Sequence, residues 1–177
     1  LKDAAAVTEF FRARLRGIFG DLGLAPQDAD AALAQDFRDP VDARARATAI
    51  AKIPKEAREV FKRVANILDD ARGKQLAIGE AVDPTLFVAA DNVEHRLYAA
   101  IGAAQQREVE PRKRRDYAAV FESLVQLQPT VAAFFDKGGV MVMDPKPELR
   151  DNRLALLQWL VRPYLEIADF RKLGGAS

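Results

Sequence analysis

Apolar residues recur along this chain every three or four positions, the repeat of one helix face, and almost never at the two-residue interval of a half-buried strand. Val7, Phe10, Phe11, Leu15, Ile18, Phe19 and Leu22 make the first such stripe, with Arg12, Arg14 and Arg16 between them and Gly23 as the stop. A short helix is expected from Pro26 to Ala34. Asp39 can cap a third helix whose first residue is Pro40, a position that needs no N–H. Pro54 opens PKEAREVFKRVANILDDARG, with Ala57, Val60, Phe61, Val64, Ile67 and Leu68 as its buried face and Gly73 as its end. The stretch GKQLAIGEAVDP has two glycines and no stripe, and reads as a connecting loop.

The pattern resumes at Asp83-Pro84 with Leu86, Phe87, Val93, Leu97, Tyr98 and Ile101, predicting a helix to about Gln106. Pro111 is expected to begin another, carrying Tyr117, Val120, Phe121, Leu124 and Leu127. Pro129 is expected to begin a shorter one with Val131, Phe134 and Phe135. GGVMVMDPKP interrupts the pattern. A last helix from about Pro147 to Leu173 is predicted to kink at Pro163, which has no donor for the carbonyl four residues back. No repeat of solenoid period occurs, so the expectation is an all-α closed bundle of about seven to eight helices. It would be one domain over 1–177, with looser helices over 1–53 and the main bundle over 54–173.

Composition narrows the chemistry. The 177 residues are 49% apolar and 30% charged, which fits a folded globular chain. Lys and Arg number 27 against 26 Asp and Glu, and neither half departs from neutrality by more than one charge, so no global field advertises a polyanion. Without Cys there is no disulfide framework, thiol nucleophile or Cys-ligated metal. One histidine, His95, and two serines, Ser123 and Ser177, make a Ser-His-Asp triad a poor expectation. There is no run of about 18 uncharged apolar residues, and LKDAAAVTEF lacks the layout of a signal peptide. No membrane partner is expected. The opening Leu1 suggests a piece of something longer.

Three polar groups are candidates for binding. Arg112, Lys113, Arg114 and Arg115 are the densest basic run; at a helix start they would oppose the helix dipole, which points to a phosphate contact, although a solvated terminus is the plainer reading. Lys62, Arg63 and Asn66 in FKRVANIL stand beside an apolar stripe, with Lys62 and Asn66 on one face. Arg150, Asn152 and Arg153 in LRDNRLALL repeat that composition, with Arg150 and Arg153 on the face away from Leu154 and Leu157; pairing with Glu148 or Asp151 is the structural alternative. Arg forks onto phosphates and stacks on bases, and Asn pairs with base edges, so both trios suit nucleic acid. His95 reads as a surface or capping residue, Met141 and Met143 as core filling, and the carboxylates show no metal-type spacing.

FKRVANIL, VDPTLF, EHRLYAAI, DYAAVFESLVQLQPTVAAFFD, VMVMD, LRDNRLALL and IADFRKL, in this order and spacing, resemble the C-terminal part of bacterial glycyl-tRNA synthetase β subunits. That part is a helical anticodon-binding domain related to those of arginyl-tRNA synthetases. The resemblance extends over nearly the whole chain, including FFRARLRGIFGDLGLAPQDADAAL and DPVDARARA. Two glycines, Gly138 and Gly139, depart from the family's direct passage from FFD into VMVM, and Pro163 is unusual in its last helix.

The resemblance implies a non-catalytic, cytoplasmic tRNA-recognition domain that holds the anticodon arm of glycine tRNA. Activation of glycine with ATP belongs to an α subunit in an assembly of two α and two β chains. It implies no cofactor in this piece, with ATP serving the whole enzyme. Glycine codons begin GG, so the anticodon ends in two cytosines, whose edges need an acceptor for the exocyclic amine and donors for the ring nitrogen and carbonyl. The tRNA-binding residues expected are Lys62, Arg63, Asn66, Arg150, Asn152 and Arg153, then Arg112 to Arg115. The alternatives are a helical protein-interaction scaffold and the anticodon domain of an arginyl-type enzyme.

Overall fold

A computed structural model describes residues 2–88, 92–136 and 139–174. Among them are seven α-helices and no strand, the expected all-α bundle: α1 (Lys2–Asp21), α2 (Pro26–Leu33), α3 (Pro40–Ile50), α4 (Lys55–Gly73), α5 (Val93–Lys113), α6 (Tyr117–Phe135) and α7 (Pro147–Leu165). Short 3-10 turns stand at Pro84–Leu86 and Phe170–Lys172.

The helix starts follow local chemistry. Pro26, Pro40 and Pro147 occupy first-turn positions, where the missing N–H has no intrahelical partner to lose. Asp39 caps α3 by accepting from the N–H groups of Val41 and Asp42, and Asp116 caps α6 through Ala119 N–H. Three helices end in the same device. The residue two past the helix turns left-handed, and the next N–H reaches back to the carbonyl five residues earlier: Leu24 to Phe19, Leu76 to Ala71 and Asp116 to Pro111. Gly23 fills the left-handed position after α1, but Gln75 and Arg115 fill it after α4 and α5 (φ +58° and +56°).

Four helix boundaries differ from expectation. The Pro84–Leu86 turn and an extended stretch replace the front of the helix predicted from Asp83, and α5 begins only at Val93. Pro111 lies inside the last turn of α5 rather than opening a helix. Pro129 lies inside α6, which runs unbroken from Tyr117 to Phe135. A proline within a helix costs roughly 3 kcal/mol. In α6 the burial of Leu127, Val131 and Phe134 on either side offsets it. The last helix stops at Leu165, not Leu173, and passes through Pro163 with helical turns on both sides; the carbonyl of Trp159, which Pro163 cannot serve, faces Gln105 Nε2 at 3.4 Å.

One core joins α2 through α7. Phe61 of α4 sits at its centre, with Tyr164 and Phe170 at ring distances of 5.8 and 6.1 Å. Ala31, Ala32 and Leu33 of α2 and Ala47 and Ile50 of α3 are buried in the same cluster. Buried Arg46 stitches α3 to the rest, pairing with Asp42 and donating to the carbonyls of Ala32, Asp36 and Ile167. Helix α1 stands apart. Phe19 is buried, but Val7, Phe10, Phe11, Ile18 and Leu22, expected on its covered face, are exposed.

The extended segment after α6 alternates. Val140 and Val142 point inward, while Met141 and Met143, expected to fill the core, face out at 63% and 41% exposure. Gly139 permits the turn into it: a Cβ there would sit 2.7 and 2.8 Å from the carbonyl oxygens of Phe134 and Asp136. Gly138 lies outside the described residues. Helix α6 has the length and mean hydropathy (1.2) of a membrane span, yet it is a core helix, with Val120, Phe121, Leu124, Leu127, Val131 and Phe134 buried against its neighbours.

Candidate nucleic-acid interface

Helix α4 divides cleanly. Ala57, Phe61, Val64, Ala65, Leu68 and Ala71 face the core. Opposite them Glu59, Lys62, Asn66 and Asp70 follow one another at three- and four-residue steps, with Arg63 beside Lys62, a polar line along the outer face. This line borders a shallow cleft of about 510 Å³, floored by Ile67 and closed by Met143 and Gly174.

Each side chain in the cleft has a distinct state. Lys62 Nζ donates to the carbonyl of Gly174 at 2.7 Å, which holds the ammonium at the rim. The Arg63 guanidinium lies 4.4 Å above the centre of the Phe135 ring, a cation–π contact that holds this exposed residue at the cleft. Among the described residues Arg63 has no carboxylate partner and the exposed Asn66 amide has no hydrogen bond. Glu59 and Asp70 lie at the two ends of the line, each beside a lysine one turn on. The cleft therefore offers donors from Lys62, Arg63 and Asn66, acceptors from Asn66, Glu59 and Asp70, and an apolar floor. Those are the groups that a splayed pyrimidine requires. Sequence reasoning overlooked Glu59, Asp70, Phe135 and Met143. The helical spacing of Glu59 and Asp70 with Lys62 and Asn66 was the available signal.

The second trio is differently placed. Asn152 is buried and clips the chain to itself: its Oδ1 accepts from Asp83 N–H at 2.8 Å and its Nδ2 donates to the Asp83 carbonyl at 2.9 Å. Arg153 is also buried, with Nε on Glu94 at 2.8 Å and one terminal nitrogen on the Met141 carbonyl at 2.9 Å and on Asp144 at 2.7 Å. It joins α5, α7 and the 140–144 segment. The carboxyl of Asp144 is held below its usual range, first by the N–H of Lys146 and then by Arg153. Arg150 is half-buried and pairs with adjacent Asp151 at 2.8 Å. The expected placement of Arg153 on an outer face is thus corrected, and the hydrogen-bonding groups of Asn152 and Arg153 are spent inside the molecule.

The basic run is corrected too. Because α5 continues through Pro111, Arg112 and Lys113 form its last turn and Arg114 its cap, where positive charge complements the helix dipole instead of opposing it. Arg112 pairs with fully buried Glu108, donates to the Pro163 carbonyl and lies 5.3 Å from the Tyr164 ring centre. Burial, then the adjacent Glu108 carboxylate, push the Tyr164 hydroxyl well above its usual pKa. Lys113 pairs with Glu110, Arg115 reaches Asp39 and Asp42, and Arg114 is exposed without a partner among the described residues. His95 is exposed as expected, edge-on to Phe87 at 4.9 Å. No cluster of potential metal ligands occurs among the described residues.

No protein-family model matches the chain. Curated relatives do. It is 41% identical over 180 aligned positions to the glycine–tRNA ligase beta subunit of Anaeromyxobacter sp. (strain K), an alignment that covers 96% of this chain and 24% of the relative. It is 37% identical over 174 positions to the glycine–tRNA ligase beta subunit of Desulforudis audaxviator, with the same coverage. The subunit of the same name from Acidithiobacillus ferrooxidans is 36% identical over 179 positions, covering 97% of this chain and 25% of the relative. The chain spans about a quarter of the length of the relatives it matches. Along nearly all of its own length, then, it is homologous to part of the glycine–tRNA ligase beta subunits.

Proposed function

We propose that this chain is the tRNA-recognition part of a glycine–tRNA ligase beta subunit and that the α4 cleft contacts the anticodon arm of glycine tRNA. The reading rests on homology to beta subunits and, within the structure, on one observation: Lys62, Arg63 and Asn66 share a cleft in which Arg63 lies over Phe135 and the Asn66 amide has no hydrogen-bond partner among the described residues. In this role the chain supports ATP-dependent glycylation without performing it. It does so as part of a cytoplasmic assembly with the α subunit, two copies of each. Catalysis and ATP binding belong elsewhere in that enzyme.

Reading cytosine fits the groups present. Arg63 and the Asn66 amide nitrogen supply donors for the ring nitrogen and carbonyl, and Asn66 Oδ1, Glu59 or Asp70 supplies an acceptor for the exocyclic amine. Titrating glycine tRNA at two salt concentrations tests RNA binding, and replacing the two anticodon cytosines tests the readout. Affinity should fall steeply with salt and fall again on loss of the cytosines. Equal affinity for the altered transcript would point to an arginyl-type or unspecific domain. A second reading, a protein-facing scaffold, is favoured by the exposed Val7, Phe10, Phe11 and Leu22 on α1. The relatives are about four times longer, so another part of the same subunit is the cover that fits this face. Salt-insensitive binding would support it.

A further inference from the structure

A second basic surface lies where α3 meets the start of α6. Arg44, Thr48 and Lys52 stand at four-residue steps on and just beyond α3, all exposed, and they border a cleft of about 410 Å³ whose far wall carries Arg115 and Tyr117. Among the described residues the side chains of Arg44 and Lys52 have no ion pair or hydrogen bond. Arg115 is more unusual. It occupies the left-handed position that ends α5, which favours glycine, and its carboxylate contacts among the described residues, with Asp39 and Asp42, are long at 3.3 and 3.4 Å. Its side chain stays 64% exposed.

The acidic groups at this corner are already engaged. Asp116 caps α6, and Asp39 caps α3. Asp42 accepts from Arg46 and from the Tyr117 hydroxyl. Burial and that bond push the hydroxyl up to about 12, so Tyr117 stays neutral. Each of these carboxylates is thereby committed to a protein donor, and none pairs with Arg44 or Lys52.

Geometry ties this corner to the α4 cleft. Tyr117 and Phe135 open and close α6, eighteen positions apart, which at about 3.6 residues per turn is five whole turns, so both project from the same side of the helix. Tyr117 meets α3 through Asp42, and Phe135 meets α4 through Arg63. The two clefts thus lie at opposite ends of one face, separated by about 27 Å along the axis at about 1.5 Å per residue. A mononucleotide cannot span that distance, but a folded RNA arm can.

We infer that Arg44, Lys52 and Arg115 form a phosphate-binding corner that holds the backbone of the same RNA whose bases enter the α4 cleft. The inference rests on the proposed tRNA reading and adds a division of labour: phosphates are positioned at the α3 corner and bases are read at α4. A chain with almost no net charge would then bind RNA through a few solvent-facing cations on one side.

The test measures glycine tRNA affinity against salt for the full-length subunit in its assembly, unaltered and with Arg44→Ala plus Lys52→Ala. Both positions are exposed in an alanine-rich helical segment, so the fold should persist, which thermal melting checks. The double variant should lower the slope of log affinity against log salt by about one to two and weaken tRNAs with native and altered anticodons equally. Asn66→Ala should do the reverse, keeping the slope and losing the discrimination. If Asn66→Ala behaves so while the double variant binds with an unchanged slope, the corner inference is overturned and the tRNA reading stands. If the unaltered protein does not bind tRNA, both fall. If the double variant keeps its tRNA affinity but fails to co-elute with the α subunit in gel filtration, the corner is a protein contact and the inference is again overturned.

Discussion

Lys62, Arg63 and Asn66 on α4 and Arg150, Asn152 and Arg153 on α7 each set two cations and one asparagine beside an apolar run, and the fold treats them oppositely. Around α4 the core touches one side, so the trio faces solvent, with Asn66 free and Arg63 stacked on Phe135. Around α7 six consecutive residues, from Asn152 to Leu157, are buried. Six residues cover more than a full turn, so this stretch is surrounded, and whatever is polar in it must find partners inside. The same guanidinium and amide chemistry is presented to solvent in one place and is a fastening in the other.

Arg153→Ala should break that contrast most severely. It removes the guanidinium that Glu94, Asp144 and the Met141 carbonyl share, and the loss of one partner from a buried ion pair costs about 3 to 5 kcal/mol. Urea unfolding at neutral pH checks it, and the expected result is a lower midpoint. An unchanged midpoint would mean that Arg153 is not the fastening between α5, α7 and the 140–144 segment.

Asn152→Ala comes next. It unfastens the Asp83 backbone on both sides by removing the two hydrogen bonds of the Asn152 amide, at a cost of about 1 to 3 kcal/mol for the pair. Affinity for tRNA per folded molecule should not change. If tRNA binding fell while stability held, α7 would belong to the RNA surface after all.

The two trios could have been told apart in part from sequence. LRDNRLALLQWLV packs its apolar residues consecutively, and a helix that is apolar all round is a buried one, so polar residues joined to such a run are expected to be satisfied internally. FKRVANIL keeps its apolar residues to one side, the mark of a surface helix. What sequence could not supply is the partners. Glu94 lies 59 positions from Arg153, and Asp83 lies 69 positions from Asn152. Such pairings are set by how helices pack and not by any local pattern.

Helix boundaries divide by the same logic. The starts of α2, α3 and α4 were legible because proline and capping chemistry act within a few residues. Pro111 and Pro129 misled because both were read as starts, while burial on either side kept α6 helical through Pro129. The Pro111 reading also reversed the electrostatics of Arg112 to Arg115, since a run that would oppose the dipole at a helix start supports it at a helix end. The exposure of the α1 stripe had no local signal at all.

Asn66→Ala should sharpen the comparison from the α4 side. Loss of a bidentate base contact costs about 1 to 3 kcal/mol of tRNA affinity and relaxes the preference for cytosine at one position. Because Asn66 is exposed and makes no hydrogen bond within the described residues, stability should move by no more than about 0.5 kcal/mol. Paired melting and filter-binding measurements separate the two effects. A variant that lost stability in proportion to affinity would make Asn66 a fastening like Asn152.

Arg63→Lys carries the smallest effect and isolates orientation from charge. Lysine keeps the positive charge, so the salt dependence of tRNA binding should be unaltered. It lacks the planar guanidinium that lies over Phe135 and the fork of N–H donors that goes with it. The expected loss is about 0.5 to 1 kcal/mol, the size of an exposed cation–π contact. Phe135→Leu in the otherwise unaltered protein should lower affinity by a similar amount, and the two changes together should lose little more than either alone, since both remove one interaction. Full additivity would mean that the ring acts on the RNA directly, as a stacking platform, and that Arg63 owes it nothing.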